Sequence, residues 1–295
     1  MKVYKFGAID IGSNALRLLF TNVIENRGKV SFKKSSLIRM PIRLGAEVFS
    51  TGIIPQRKID KLLHALLAFK HLLYLQDVVS YKIYATSAMR DAKNSKDIVR
   101  TMREFADMNV EIIDGEQEAK IIYKNQINTL SDDGNYLFID VGGGSTEFTL
   151  FSKQKAVLSK SFNIGTVRII QDMYDKQTPY DMERWIGNLC KEYTDINVIG
   201  SGGNINKIAK MYVPGKQVLS FKKLSGAIEK ISAYSVKERI EILGLNPDRA
   251  DVIIPAAELY AKVMQWVDAK KIIVPGFGLA DGTIRQLYKE YKAAL

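Results

Sequence analysis

The sequence predicts an α/β fold of two duplicated halves with a cleft between them. Three observations lead there. The chain has 295 residues, more than one hydrophobic core usually holds, so two domains are expected. Apolar strands alternate with glycine turns and helical stretches along its length, which is how α/β units read in sequence. One unit also occurs twice: "FGAIDIGSNALRLLF" at 6–20 and "LFIDVGGGSTEFTLF" at 137–151 each give an apolar strand, an aspartate, small residues and a second strand. Such an internal repeat suggests duplicated halves. Ligands of these folds sit where strands end and glycine turns begin.

The elements follow in order. Residues 3–11 and 15–24 read as a hairpin around "DIGSN", and 29–45 add strand and loop. Residues 55–76 read as a helix that Pro55 starts. Residues 79–95 give strand, polar turn and helix, 96–107 a helix, and 110–127 a short strand, an Asp-Gly turn and a helix. The pattern then restarts with a hairpin at 136–151 and a strand with a glycine turn at 155–170. Helix is expected at 182–193, and strand, glycine turn and helix at 196–212. Residues 222–244 read as broken helix, 249–267 as helix despite Pro255, and 270–291 as strand, turn and final helix. The expected domains are 1–126 and 127–295, with the helix at 280–295 packing back on the first. No low-complexity linker separates them, so a hinge is expected near 124–134, around "SDDGN".

Composition bounds the function. The hydrophobic share is 46% and the charged share 25%, as in soluble globular proteins. The net charge of +11 favours anionic partners without choosing among them, and a solvated lysine surface explains the same number. One cysteine, Cys190, excludes an intrachain disulfide and gives no sign of an oxidising compartment. The start "MKVYKFGAIDIG" reads as a buried strand, not a signal peptide, and no apolar run reaches membrane-spanning length. The expectation is a cytoplasmic protein. His64 and His71 lie seven apart on one helix with no acid or cysteine cluster beside them, which reads as helix packing rather than metal ligation.

The glycine turns carry the chemistry. At 140–147, Gly143 and Gly144 let backbone N–H groups approach an anion closely, and Ser145 and Thr146 add hydroxyls. Asp140 and Glu147 would repel bare phosphate, but a divalent cation reconciles carboxylates with phosphate oxygens. A tight hairpin turn is the bland alternative. The first turn supplies Gly12, Ser13 and Asn14. Arg17 is odd in its apolar strand, and either reaches a substrate phosphate or pairs with a local carboxylate. Thr86 and Ser87 end a strand with Arg90 in the next turn, a place for an anion or simply a helix cap. "GSGGNINKIA" at 200–209 places Gly202 before a helix and Lys207 within it, without a complete P-loop. Glu116 and Glu118 open a helix, where the dipole alone favours acids. No Ser-His-Asp set and no Cys-His pair is evident. A phosphate-hydrolysing reaction here would need a carboxylate base or metal-bound water.

These motifs together resemble the exopolyphosphatase / guanosine pentaphosphate phosphohydrolase (Ppx/GppA) family of the actin-like (ribonuclease H-like) ATPase superfamily. The resemblance runs through "DIGSNALRL", "ATSAMRDAKNS", "GEQEAKIIY", "DVGGGSTEF", "NIGTVRI", "GSGG", "RADVIIPAAEL" and "GLADG", in family order. It implies two actin-like domains with the active site in the cleft. It implies release of a terminal phosphate from polyphosphate or from guanosine pentaphosphate, with Mg²⁺. By motif position, Glu118 becomes the base, and Asp140 and Glu147 hold the metal or orient water. Phosphate contacts fall on Ser13, Asn14, Arg17, Ser87, Arg90, Gly143, Gly144, Ser145, Thr146 and Gly202, and further on Thr166, Arg168 and Arg249. Two positions depart from the pattern: Ala15 stands where serine is usual, and Ala280 where arginine is usual. The chain resembles the short two-domain members. The implied partners are a polyphosphate or guanosine polyphosphate substrate, with no nucleic acid and no membrane, and a homodimer stays open. A polyphosphate- or alarmone-binding sensor with little hydrolysis is the alternative, and an actin-like ATPase or sugar kinase is a third.

Overall fold

A computed structural model of the chain describes residues 1–123 and 133–295. It divides into two compact units, Met1–Asn125 with Gly278–Leu295, and Gln126–Phe277. The hinge expected at 124–134 falls mostly on 124–132, outside the described residues.

The first unit begins with strands β1 (Lys2–Ile11), β2 (Leu16–Asn26) and β3 (Lys29–Met40). Helices α1 (Gly45–Thr51) and α2 (Gln56–Leu75) follow, then β4 (Ser80–Ala85), α3 (Ser87–Asp91), α4 (Ser95–Ala106), β5 (Val110–Ile112) and α5 (Gly115–Tyr123). The sheet order is β3-β2-β1-β4-β5. β1, β2 and β3 pair antiparallel, and β4 and β5 join in parallel.

The second unit repeats this plan. Its strands β6 (Asn135–Val141), β7 (Thr146–Ser152) and β8 (Lys155–Phe162) lead to α6 (Thr166–Ile170), α7 (Thr178–Glu192), β9 (Ile196–Ser201) and α8 (Gly203–Tyr212). Then come β10 (Val218–Ser220), α9 (Phe221–Ser232), α10 (Val236–Glu241), α11 (Pro247–Ala250), α12 (Ile253–Trp266) and β11 (Lys271–Ile273). The sheet order is β10-β11-β9-β6-β7-β8. Without the edge strand β10 this is the order of the first sheet. It is the strand order of actin-like, ribonuclease H-like domains, so the two α/β units belong to that fold class. The last helix, α13 (Leu279–Ala293), is part of the first unit.

The repeat holds at a constant offset of 130. Asp10 faces Arg17 across the first hairpin, and Asp140 faces Glu147 across the second. Even the β-bulge recurs, after Phe20 in β2 and after Leu150 in β7.

Burial explains the apolar runs. Phe6 to Ile11 are all buried because β1 is covered on both faces. Ile9 and Ile11 join a core with Leu62, Leu66 and Phe69 of α2. Phe6 and Ala8 meet Ala280, Ile284 and Leu287 of α13. Each such side chain contributes about 1.5–3 kcal/mol when fully buried. In the second unit, Leu137, Ile139, Phe148 and Leu150 share a core with α7, α8, α9 and α12. Pro255 is accommodated because it lies in the first turn of α12, where its missing N–H breaks no helical bond. His64 and His71 lie on the exposed side of α2, and His64 meets the edge of Phe105.

Some elements are not visible in the sequence pattern. α1 and β10 are too short to show a period. α7 starts at Thr178, four residues before the expected 182, with Pro179 in its first turn.

Ala280 is buried against β1. Gly282 of α13 lies close against α5: a Cβ there would lie 2.2 Å from the Ile121 carbonyl oxygen. Gly→Ala inside a helix normally gains up to about 1 kcal/mol. Here the sign should invert. Gly282→Ala is expected to destabilise the first unit by about 1–3 kcal/mol through overpacking, read as a lower midpoint in thermal unfolding. An unchanged or raised midpoint would contradict this packing.

Candidate functional site

Each unit ends its central strand in a glycine turn, and each turn is fixed by its own bonds. In the first unit, the Gly12 N–H donates to the Ala15 carbonyl at 3.2 Å. Ser13 Oγ lies 2.7 Å from Ser87 Oγ and accepts from the Ala88 N–H at 3.1 Å. Gly45 N–H donates to Ser13 O and Arg43 N–H to Asn14 O. Ser13 and Ser87 are buried, while Asn14 is half-exposed. The structure therefore brings Ser13, Asn14 and Ser87 together.

Arg17 pairs with Asp10 at 3.0 Å, so the local salt bridge weighed for it is present. Burial pushes the Asp10 carboxyl up, and the Arg17 guanidinium works against that shift. Arg90 donates from Nη1 to the Ile113 carbonyl at 2.9 Å and so steadies the chain between β5 and α5. There Asp114 and Gln117 cap each other's backbone N–H groups, at 2.7 and 3.1 Å. This reciprocal cap fixes the helix start that carries Glu118. Glu118 is half-exposed. Glu116 is held by Lys120 one turn on.

In the second unit, the Gly142 N–H donates to the Ser145 carbonyl at 3.0 Å, matching the first turn. A second backbone segment lies directly on this loop. Thr166 N–H reaches Gly142 O and Val167 N–H reaches Gly143 O, at 3.0 and 2.8 Å. Gly165 permits the approach, since a Cβ there would lie 2.6 Å from Gly143 C and O. Arg168 Nε donates to Gly144 O at 2.8 Å. Thr146 is fully buried and its hydroxyl donates to Ile164 O at 2.6 Å. The side chains of Thr146 and Arg168 thus shape the loop, and Gly143 and Gly144 form its tip.

The acids lie on the sheet face opposite the core, directly across from each other. The Asp140 carboxylate accepts from Ser201 Oγ at 2.8 Å. Glu147 accepts from Ser145 Oγ and from Ser161 Oγ. Gly202 has φ +106°, and a Cβ there would lie 2.9 Å from Asp140 Oδ1. Tyr260 is buried, donates to the Ser201 carbonyl and accepts from the Val141 N–H at 3.1 Å. Burial, then the nearby Asp140, push its phenol well above the ordinary range, against the opposing effect of the Val141 hydrogen bond. Lys207 and Arg249 are half-buried in α8 and α11. Among the described residues, no group of three or more His, Cys, Asp or Glu is placed to hold a metal ion.

Sequence reasoning missed Ser161, Ser201, Tyr260 and Arg43. Ser201 sits inside the quoted "GSGG", and only its strand pairing with Asp140 reveals its use. Tyr260 has no local signal, because it arrives from a helix 59 positions after Ser201.

The model of the Ppx/GppA phosphatase family matches residues 23–290. The bifunctional 3-dehydroquinate synthase/phosphatase of Fusobacterium nucleatum is 28% identical over 292 residues, covering 90% of this chain and 44% of that protein. A Haemophilus influenzae protein with the provisional name exopolyphosphatase is 24% identical, covering 99% of this chain and 94% of its own length. The guanosine-5′-triphosphate,3′-diphosphate pyrophosphatase of Aliivibrio fischeri is 23% identical, covering 94% of this chain and 58% of that protein. The chain thus spans about half the length of the first and third of these relatives. Among solved structures, an exopolyphosphatase from Cytophaga hutchinsonii superposes with a TM-score of 0.84 at 24% identity, covering 97% of this chain and 98% of that one.

Gly202 tests the acid pocket. Gly202→Ala places a methyl group against Asp140 Oδ1 on a backbone, φ +106° and ψ 160°, that is essentially restricted to glycine, a strain of about 1–3 kcal/mol. If the chain releases phosphate from polyphosphate, that release is expected to fall about tenfold or more, with circular dichroism unchanged. Wild-type release in that variant would remove Asp140 from the site.

Proposed function

Because the chain belongs to the Ppx/GppA phosphatase family, we propose that it is a phosphohydrolase of phosphoanhydride bonds. The substrate is inorganic polyphosphate, the 5′-terminal phosphate of guanosine pentaphosphate, or both. Relatives named for each substrate support this range. The observation that carries the reading is the switched cross-strand partner. In one hairpin Asp10 faces Arg17, and in its duplicate Asp140 faces Glu147. The hydroxyls of Ser145, Ser161 and Ser201 bond to the same two carboxylates. Two facing carboxylates among oxygen donors are the kind of ligand set that a hard divalent cation takes.

Mg²⁺ fits this donor set, since it takes oxygen ligands and usually binds through one or two carboxylates plus substrate phosphates. Asp140 and Glu147 would hold it. When bound, it offsets negative charge on the phosphoryl oxygens. The chain's own groups do the rest in this reading. Gly143 and Gly144 present the loop tip to the terminal phosphate, with Ser145 at its edge. Ser13, Asn14, Ser87 and Arg90 receive neighbouring phosphates, with Arg17, Thr166, Arg168, Gly202 and Arg249 supporting them. Glu118 accepts a proton from water as its oxygen attacks the terminal phosphorus in line. The P–O anhydride bond breaks, orthophosphate forms, and the shortened chain leaves as an anion. Positioning and electrostatics supply most of the rate, because phosphoryl transfer needs little covalent help.

Glu118→Gln keeps shape and removes the base. Turnover is expected to fall by about two orders of magnitude or more with KM nearly unchanged. Adding Glu147→Gln should cost far less than a second independent loss, since residues acting as one unit are not additive. Phosphate release measured side by side on polyphosphate and guanosine pentaphosphate, with Mg²⁺ and after chelation, checks substrate and metal together. Wild-type turnover in Glu118→Gln would refute the base. Tight substrate binding with no release by the native chain would instead make the protein a sensor.

A further inference from the structure

Tyr260 sits mid-way along α12, far in sequence from either glycine turn, and is among the largest fully buried side chains described. Its ring packs on Gly200, where a Cβ would lie 3.3 Å from Cε1. Its hydroxyl makes two bonds, donating to Ser201 O on β9 and accepting from Val141 N–H on β6. β6 and β9 run parallel, and their ladder stops at the pair Asp140 and Ser201.

The duplicate unit shows what this hydroxyl replaces. In the first unit the corresponding ladder runs one pair further, to Ile11 and Ala85, and Thr86 N–H donates to Ile11 O. Backbone alone closes that end. In the second unit the ladder ends one pair earlier, before Gly202, whose φ is +106°. The next rung is made by a side chain. The two strand ends joined by the phenol carry the Asp140 carboxylate and the Ser201 hydroxyl that contacts it at 2.8 Å. A buried hydroxyl costs more than an apolar group of similar size unless it is bonded. This one is bonded twice, and both bonds act on the residues that set Asp140.

We propose that Tyr260 is a positioning residue whose hydroxyl holds β6 and β9 at the separation that aims Asp140, and so sets the affinity for the divalent cation. This rests on the reading of Asp140 as a cation ligand. Groups that orient a ligand from behind commonly govern metal affinity.

The test uses the full chain with Tyr260→Phe, which removes only the hydroxyl. Mn²⁺ alone is titrated by electron paramagnetic resonance without substrate. Phosphate release is followed against Mg²⁺ concentration, and thermal unfolding is recorded. The Mn²⁺ dissociation constant and the half-saturating Mg²⁺ concentration are both expected to rise about tenfold, more than kcat at saturating Mg²⁺ falls. Leu224→Ala, buried in the same core, should lower the unfolding midpoint and leave the Mn²⁺ constant alone. Ser201→Ala gives a second variant on the same path, with weakened Mn²⁺ binding expected. A lowered midpoint with Mn²⁺ and Mg²⁺ constants within twofold of wild type in Tyr260→Phe and Ser201→Ala would overturn the proposal. Asp140→Asn separates the two layers. If it binds Mn²⁺ as wild type does, the cation reading of Asp140 falls, and the role of Tyr260 with it. If it loses Mn²⁺ while Tyr260→Phe keeps it, only the role of Tyr260 falls.

Discussion

A carboxylate at the end of a buried strand is the constraint on which both halves of this chain depend. β1 and β6 are central strands, and each carries an aspartate next to its last residue. A carboxylate taken from water must be partnered or take up a proton. In the first unit Arg17 answers Asp10 from the facing strand, and charge is matched by charge. In the second unit the facing residue is Glu147, which doubles the problem. Hydroxyls of Ser145, Ser161 and Ser201 then supply hydrogen bonds to the two carboxylates. Two similar backbones therefore present opposite electrostatic demands at their strand ends.

Close backbone approach is the second condition. The loop at 142–144 keeps its shape because another loop lies on it through Gly165, Thr166 and Val167. Arg168 and Thr146, with side chains that look available to substrate in sequence, are partly committed to this bracing. A rigid loop tip has N–H groups whose directions are set before an anion arrives, so binding loses less ordering entropy. Distant contacts support the first unit likewise. α13 leans on α5 through Gly282 and Ile121, and α5 carries Glu118.

Much of the fold was legible because it is written in local patterns. The two hairpins announce themselves by apolar strands around small residues, and the constant offset of 130 makes the duplication visible. α2 shows its period through Ile59, Leu62, Leu63, Leu66, Phe69 and Leu73. Short pieces such as α1 and β10 carry too few residues to show one. The acids and glycines of the candidate site were legible for the same local reason. The pairing of Arg17 with Asp10 was not decided by sequence, because a guanidinium next to a glycine turn suits substrate and carboxylate equally. Ser161 and Tyr260 stayed hidden because only strand pairing and helix packing bring them to Glu147 and to the Asp140 strand end.

The duplication also explains why a strongly basic chain need not be basic at its candidate site. Many cations in the first unit are already engaged: Lys34 with Asp281, Lys82 with Glu290, and Lys292 with Glu25. Others serve structure, as Lys58 does by donating to the carbonyls of Ile42 and Arg43. For a polyanionic substrate as proposed, the net charge of +11 supplies a long-range attractive field. In the proposed reading, recognition at short range falls to backbone amides, hydroxyls and the facing carboxylate pair. The two copies of the unit differ in one cross-strand partner, arginine in the first hairpin and glutamate in the second, and in the proposed reading that difference places the cation site in the second.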